Sequence, residues 1–120
     1  MGMNRSEPWD GLDRDAALGR VGGDVDLLKE IAGVFLDDCP RSLAELRDAA
    51  ARGDCVGAER AAHGLKGAAS NFGAGHVVAA ALRIEQMGRA GKLDDFAPAL
   101  ESLEAALAAL RDELEALIAS

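Results

Sequence analysis

The sequence predicts an all-α protein, an antiparallel up-down four-helix bundle with a short additional N-terminal helix. Its composition favours helices over sheets, since Ala, Leu, Glu, Asp and Arg predominate and the 120 residues include one Trp, three Phe and no Tyr. Apolar residues also recur at three- and four-residue spacing along most of the chain. Glycines divide the chain into segments joined by short loops, and short loops between long helices favour antiparallel neighbours.

The length and the N-terminus predict one cytoplasmic domain. A chain of 120 residues can bury a single core without disulfides or metals. We therefore expect residues 1–120 to form one domain, with residues 1–9 as a flexible N-terminal segment. Cys39 and Cys55 form no CxxC pattern and are expected to be small apolar side chains in a reducing compartment. The polar N-terminus lacks the apolar run of a signal peptide, and no window approaches a membrane-spanning run.

The net charge of −8 indicates which kinds of molecule the protein is expected to bind. A nucleic-acid binder normally carries a basic stripe that neutralises phosphates, and the sequence shows none. An acidic surface also disfavours docking on an anionic membrane. The charge therefore predicts a protein partner, with no nucleic acid and no membrane.

The first two helices are separated by a run of glycines. A short helix is predicted over residues 10–20, as a lid on the bundle. Asp24 is a good N-cap for a second helix, in which apolar residues follow a helical period. Pro40 would stop or kink this helix, yet the apolar stripe continues beyond it. We predict one long helix over residues 25–52 with a kink at Pro40, and two separate helices are the alternative.

Three further helices are predicted in the second half of the chain. The third covers residues 55–71 and the fourth residues 76–89. The glycines expected to end them are Gly73 and Gly75 for the third helix, and Gly88 and Gly91 for the fourth. Asp94 or Asp95 caps a last helix. Its apolar seam consists of Leu100, Leu103, Leu107, Leu110, Leu114 and Leu117.

His63 lies on the polar face of the third helix. At about 100° per residue it is about 160° from Leu65, so it should face solvent. The predicted core face consists of Ala58, Ala62, Leu65, Ala69 and Phe72. The residues predicted to share the outer face with His63 are Glu59, Arg60, Lys66, Gly67 and Ser70. Spacing alone also allows an ordinary surface histidine here.

Two glycines beside His63 indicate a functional surface. Gly64 and Gly67 lie inside a helix, where each costs about 1 kcal/mol relative to Ala. A locally unfavourable residue without a packing reason often marks a functional site, and a missing side chain beside His63 would admit a partner's reactive group. Close helix–helix contact is the alternative explanation. His76 has no such surroundings, and the spacing around His63 suggests neither a catalytic triad nor a metal site.

The segment over residues 62–74, Ala-His-Gly-Leu-Lys-Gly-Ala-Ala-Ser-Asn-Phe-Gly-Ala, closely resembles the signature of histidine-containing phosphotransfer (HPt) domains of bacterial two-component phosphorelays. Residues 18–24, 35–40 and 53–54 resemble other stretches of that family, which also carries Pro within a long second helix. The resemblance covers about residues 12–117. One departure is Gly64, where the family usually has a larger polar residue such as Thr.

The resemblance implies a covalent phosphohistidine carrier rather than an autonomous kinase. His63 would accept a phosphoryl group from an aspartyl phosphate on a receiver domain and donate it to another receiver. The partners would be receiver domains of response regulators and of hybrid histidine kinases. The chain itself would need no cofactor, because the receiver would supply the Mg²⁺. A monomer is expected.

The resemblance also assigns roles around His63. Lys66, together with Arg60, would neutralise the phosphoryl oxygens. Gly67 would leave room for the receiver, and Ser70 or Asn71 would hold the imidazole or the phosphate through a hydrogen bond. The predicted binding residues are Glu59, Arg60, Gly64, Gly67, Ser70 and Asn71.

Two other functions are compatible with a helical bundle that presents a histidine. A histidine-kinase dimerisation domain usually has an acidic residue after the histidine and a Pro several residues later, whereas Gly64 follows here and no Pro occurs between Gly64 and Pro98. A helical adaptor would bind receiver domains without phosphotransfer. The intact His-x-Leu-Lys-Gly string disfavours the adaptor, and nothing in the sequence indicates a hydrolytic pocket.

Overall fold

The computed structural model describes residues 12–120, which form five helices and no strand. In chain order the helices are α1 (Arg14–Arg20), α2 (Val25–Ala51), α3 (Cys55–Ser70), α4 (Gly75–Ala90) and α5 (Phe96–Ala119). The predicted all-α class is therefore confirmed for this part of the chain. The segment predicted to be flexible, residues 1–9, lies outside the described residues.

The first helix is shorter than predicted. It begins at Arg14 rather than at residue 10, and Asp13 is its N-cap. The backbone N–H of Asp13 donates to the carbonyl of Phe72 at 2.8 Å, and that of Leu12 donates to the Glu113 carboxylate at 2.8 Å. These bonds hold Leu12 and Asp13 against the segment after α3 and against α5, so they do not continue the helix. The rest of the predicted first turn lies outside the described residues.

The second helix is continuous, as predicted. The side chain of Asp24 accepts the N–H of Leu27 at 3.0 Å and caps its first turn. The helix continues through Pro40 to Ala51, so the alternative of two separate helices is wrong. A bend at Pro40 stays a prediction. The apolar stripe before and after Pro40 belongs to one packed face, which explains why the proline does not end the helix.

Two glycines predicted to end helices lie inside α4. Gly75 is its first residue, and Gly88 lies near its end, two residues before the last one. The helix ends instead at Gly91, whose φ of +74° is a left-handed conformation that favours glycine. The third helix ends at Ser70, with Asn71 as its C-cap rather than its last helical residue.

The last helix carries the predicted leucine seam. Asp95 is at the N-cap, although its side chain makes no capping hydrogen bond. Leu100 is only partly buried, because it lies at the margin of the packed face. The remaining seam residues are buried, namely Leu103, Leu107, Leu110, Leu114 and Leu117.

The four long helices pack around one core. The third helix packs against α2 and α4, and α5 packs against the same two helices, whereas no Cα atom of α3 lies within 8 Å of one of α5. The short α1 packs against α2. In the core, the aromatic rings of Phe35 and Phe72 meet edge to face, with centroids 5.4 Å apart. This packing fixes α3 on two sides and leaves its outer face to solvent.

Candidate functional site

The exposed face of α3 carries His63. The helix begins after Asp54, whose side chain accepts the N–H of Gly57 at 2.8 Å and so caps the first turn. The predicted core residues of this segment are all buried, namely Ala58, Ala62, Leu65, Ala69 and Phe72. Because that face anchors α3 to the core, the His63 side chain points outward and is 67% exposed.

A buried carboxylate from α4 contacts His63. Glu85 is 2% exposed and is the only buried charged residue within residues 12–120. Its Oε2 lies 2.9 Å from Nδ1 of His63. The Lys66 Nζ lies 2.7 Å from Oε1 of the same carboxylate, and Arg89 donates to Oε2 at 3.0 Å. Glu85 thus joins the histidine to two cations on the two helices.

The close approach of α3 and α4 depends on Gly88. A Cβ at this position would lie 2.7 Å from the backbone carbonyl oxygen of Cys55 and 2.9 Å from the backbone nitrogen of Glu59, too close for any side chain. The glycine therefore allows the two helix backbones to pack directly against each other. One turn earlier on α4, the same approach brings Glu85 within hydrogen-bond distance of His63.

The cations around Glu85 keep it ionised. The Lys66 ammonium lowers the pKa of the Glu85 carboxyl, against the effect of burial, and His63 lowers it further. An ionised carboxylate only accepts hydrogen bonds, so Nδ1 of His63 carries the proton that it donates to Glu85. In the neutral ring the lone pair is then on Nε2. Because the folded pKa is lowered, this group stabilises the fold at neutral pH, and that contribution is lost as the pH falls through the lowered pKa.

Two shallow depressions open on either side of Arg60, one of about 310 Å³ and one of about 490 Å³. The larger one contains His63. The larger depression is lined by Val56, Glu59, Arg60, His63, Glu85 and Arg89. The Glu59 carboxylate accepts from Nε of Arg89 at 3.2 Å, so that Arg89 links two carboxylates. Arg60 is exposed. Arg89 therefore borders His63 on the side that faces α4, while Arg60 lies between the two depressions.

Comparison with known protein families decides the affiliation. A sequence model of the Hpt domain matches residues 30–119, which include most of α2 and all of the histidine-bearing helix. The chain belongs to the Hpt domain family. Neither a curated protein nor a solved structure matches the chain.

The Hpt domain places the predicted site residues on one face, in three groups. His63 and Lys66 contact the buried Glu85 carboxylate, and Glu59 and Arg60 line the same depression as His63. Gly64 and Gly67 are exposed, and no atom lies within 4 Å of where a Cβ would stand on either. Close helix packing therefore does not explain these two glycines.

Ser70 and Asn71 are not in contact with the imidazole. The Ser70 hydroxyl donates to the backbone carbonyl of Gly67 at 2.7 Å. Asn71 is exposed and lies at the edge of a groove between α2 and α3. The His63 ring instead donates its hydrogen bond to Glu85 on the neighbouring helix.

Sequence reasoning missed Glu85 as the partner of His63. A signal was present in the fourth helix. The buried residues of α4 are Val77, Ala81, Ile84, Glu85 and Gly88, so the glutamate occupies a core position of an otherwise apolar stripe. A charged residue at such a position needs a partner. Because His63 and Glu85 are 22 residues apart in the sequence, their spacing gave no indication that they form a pair.

Two further observations concern metals and membranes. Residues 12–120 contain no group of three or more His, Cys, Asp or Glu side chains placed to hold a metal ion. Within the same residues, none of the helices has the length and hydropathy needed to cross a membrane.

Proposed function

We propose that this Hpt domain is a histidine phosphocarrier, an antiparallel up-down four-helix bundle that passes a phosphoryl group between receiver-domain aspartates through His63. One observation carries the proposal. The exposed imidazole is held at Nδ1 by a buried, ionised carboxylate, so the nucleophilic nitrogen Nε2 is directed to solvent in a fixed orientation. A histidine that only solubilises the surface would need no buried partner.

The chemical step follows from this geometry. The Nε2 lone pair attacks the phosphorus of an aspartyl phosphate, and an N–P bond forms while the P–O bond to the aspartyl carboxylate breaks. The carboxylate leaves with the electron pair of that bond. The imidazole keeps its Nδ1 proton and gains positive charge, which the adjacent Glu85 carboxylate stabilises. Donation to a second receiver is the reverse step, with a new carboxylate as the nucleophile.

The cations have distinct positions for this reaction. The Lys66 side chain is 26% exposed and is paired with Glu85. We propose that its ammonium turns towards the phosphoryl oxygens as they arrive. Arg89 is 62% exposed and holds Glu85 in place. Arg60 stands at the rim of the depression, where it would attract the acidic active site of a receiver.

The rest of the proposed site serves the contact with the receiver. Gly64 and Gly67 leave space for the receiver beside the histidine. Glu59 positions Arg89, and Ser70 and Asn71 lie at the edge of the contact. We propose that the receiver supplies the Mg²⁺, that the protein acts as a cytoplasmic monomer of a bacterial two-component pathway, and that its partners are the receivers of hybrid kinases and response regulators.

A panel of phosphorylated receiver domains tests the proposal. Each is mixed with the protein, and uptake is followed as a mass increase of one phosphoryl group. We expect uptake from at least one receiver, with a linkage that is lost in acid and stable in alkali, as for phosphohistidine. If the folded protein binds receivers without uptake from any of them, it is a non-catalytic helical adaptor.

The Lys66→Ala variant is expected to transfer phosphate about tenfold to 100-fold more slowly than the parent, because it lacks a cation that neutralises the transferring oxygens. Its free energy of unfolding should fall by only about 1 kcal/mol, since Glu85 keeps its contacts with His63 and Arg89. Rapid-quench transfer assays and urea denaturation measure the two effects. Equal transfer rates for variant and parent would sink this assignment.

The Gly67→Ala variant is expected to be more stable but slower in transfer. A Cβ at this position meets no atom within 4 Å, so alanine should raise the free energy of unfolding by about 1 kcal/mol. The added methyl group stands beside His63 and should slow transfer by about tenfold through misplacement of the receiver. As a matched control, Gly88→Ala should lower the free energy of unfolding by about 1–3 kcal/mol through overpacking. A Gly67→Ala variant that transfers at the parent rate would contradict the role in clearance.

A further inference from the structure

A groove between α2 and α3 lies next to the histidine. Its volume is about 710 Å³. The side chains at its apolar floor are Leu27, Ile31, Val34 and Phe35 of α2, with Leu65 of α3 and Phe72 beyond it. Leu27 is 40% exposed and Val34 is 60% exposed. This groove is therefore an apolar surface that the fold leaves open to a partner.

One end of the groove reaches the reactive histidine. Gly64, the residue after His63, lines it together with Leu65. Because Gly64 has no side chain, this end of the groove is open beside His63. A protein that reacts at Nε2 of His63 and also contacts α2 can therefore reach the groove.

Acidic residues line the same groove along α2. They are Glu30, Asp38 and Glu45, spaced by eight and seven residues, close to two helical turns each. Asp38 is paired with Arg41 at 3.1 Å. Glu30 and Glu45 are exposed and form no ion pair with any residue in the 12–120 range. By the helical rise they are about 22 Å apart, so they mark the two ends of the groove.

The charges on the two sides of His63 are opposite. Towards α4 the histidine is bordered by Lys66 and Arg89, which contact Glu85, and the α2 side carries the carboxylates of the groove. Arg60 lies between the two sides and lines a depression on each. A partner whose acidic active site meets the basic side therefore places its neighbouring surface over Glu30 and Glu45. Carboxylates that face a docked protein are favourable only where that protein presents positive charge, since like charges across an interface are strongly unfavourable.

We propose that this groove selects its receiver by charge: it takes a receiver whose docking surface combines apolar side chains with flanking Lys or Arg residues, and Glu30 and Glu45 are the specificity-determining residues. The inference rests on the proposed phosphocarrier function and deepens it. It names the chemistry of the partner surface, which neither the histidine nor the cations around it define.

The test compares two charge reversals of equal size. The Glu30→Lys/Glu45→Lys variant alters the groove, and Glu101→Lys/Glu115→Lys alters exposed positions of α5, a helix with no Cα atom within 8 Å of α3. Transfer is measured as kcat/KM from the phosphorylated receiver that labels the parent best. We expect the groove variant to lose about tenfold or more in kcat/KM and the α5 variant to change by less than about threefold. Equal effects of the two variants would overturn the proposal.

Two further measurements separate this inference from the function on which it rests. Labelling by phosphoramidate, a small phosphoryl donor, should be equal in the parent and in both variants, because it needs no docking surface. A receiver whose flanking Lys and Arg residues are changed to Glu should react faster with the groove variant than with the parent. If the parent is not labelled by phosphoramidate or by any receiver, the proposed function fails. If labelling is normal and the swapped receiver still prefers the parent, only the charge selection fails.

Discussion

Phosphoryl uptake is expected to be lost in the His63→Gln variant and kept in the His76→Gln variant. Glutamine at position 63 has no nucleophilic nitrogen, so the rate of uptake should fall by at least about a thousandfold. His76 lies at the start of α4, away from the cluster around Glu85, and its replacement leaves that cluster intact. The two variants remove the same type of side chain from exposed positions on neighbouring helices, which makes them a matched pair.

The uptake of this pair is measured with phosphoramidate and with a reactive receiver. Circular dichroism and urea denaturation establish that each variant folds, and we expect free energies of unfolding within about 1 kcal/mol of the parent. Uptake that survives in His63→Gln would place the phosphoryl group on another residue. Loss of uptake in both variants would indicate that the reactive residue is not defined by the cluster around Glu85.

The Glu85→Ala variant is expected to transfer phosphate about 100-fold to 1,000-fold more slowly than the parent. Without the carboxylate, nothing on α4 holds Nδ1 of His63, so the ring loses its orientation and its preferred proton position. The positive charge that develops on the imidazole also loses its counterion. Glu85→Gln keeps an oxygen that accepts from Nδ1, and it should retain transfer within about tenfold of the parent.

An orienting role of Glu85 is distinguished from a merely structural one by measuring receiver affinity and the transfer rate at saturating receiver separately. Because Glu85 is buried and does not face the partner, the Glu85→Ala variant should bind the receiver with unchanged affinity while the rate at saturating receiver falls. The assay is performed well below the unfolding midpoint of each variant. A loss confined to receiver affinity, or equal losses in the alanine and glutamine variants, would argue against the orienting role.

Much of the fold could be predicted because it depends on local signals. The apolar period predicted α2 through α5, and Asp24 marked a helix start that the structure confirms. The prediction failed where a distant contact overrides local preference. Leu12 and Asp13 are held by backbone hydrogen bonds to Glu113 and Phe72 rather than by the helix that the sequence favours at that point.

The part of the site that lies on α3 could be predicted from the sequence, whereas the contact between α3 and α4 could not. The outward position of His63 follows from the period of α3 alone, because every core residue of that helix is visible in the sequence. Its partner Glu85 depends on how closely α4 approaches, which is decided by the missing side chain at Gly88. From the sequence, Gly88 was predicted to end the helix. The neighbouring residues do not distinguish a glycine that ends a helix from one that allows two helices to pack closely.

Reconstitution of the relay tests the central proposal most directly. A receiver labelled with radioactive phosphate is mixed with an unlabelled second receiver. The mixture is prepared without this protein and with a catalytic amount of it. The account predicts that label reaches the second receiver only when the parent protein is present, with a transient acid-labile label on His63. Label that reaches the second receiver equally with the His63→Gln variant, or a folded parent that carries none, would contradict it.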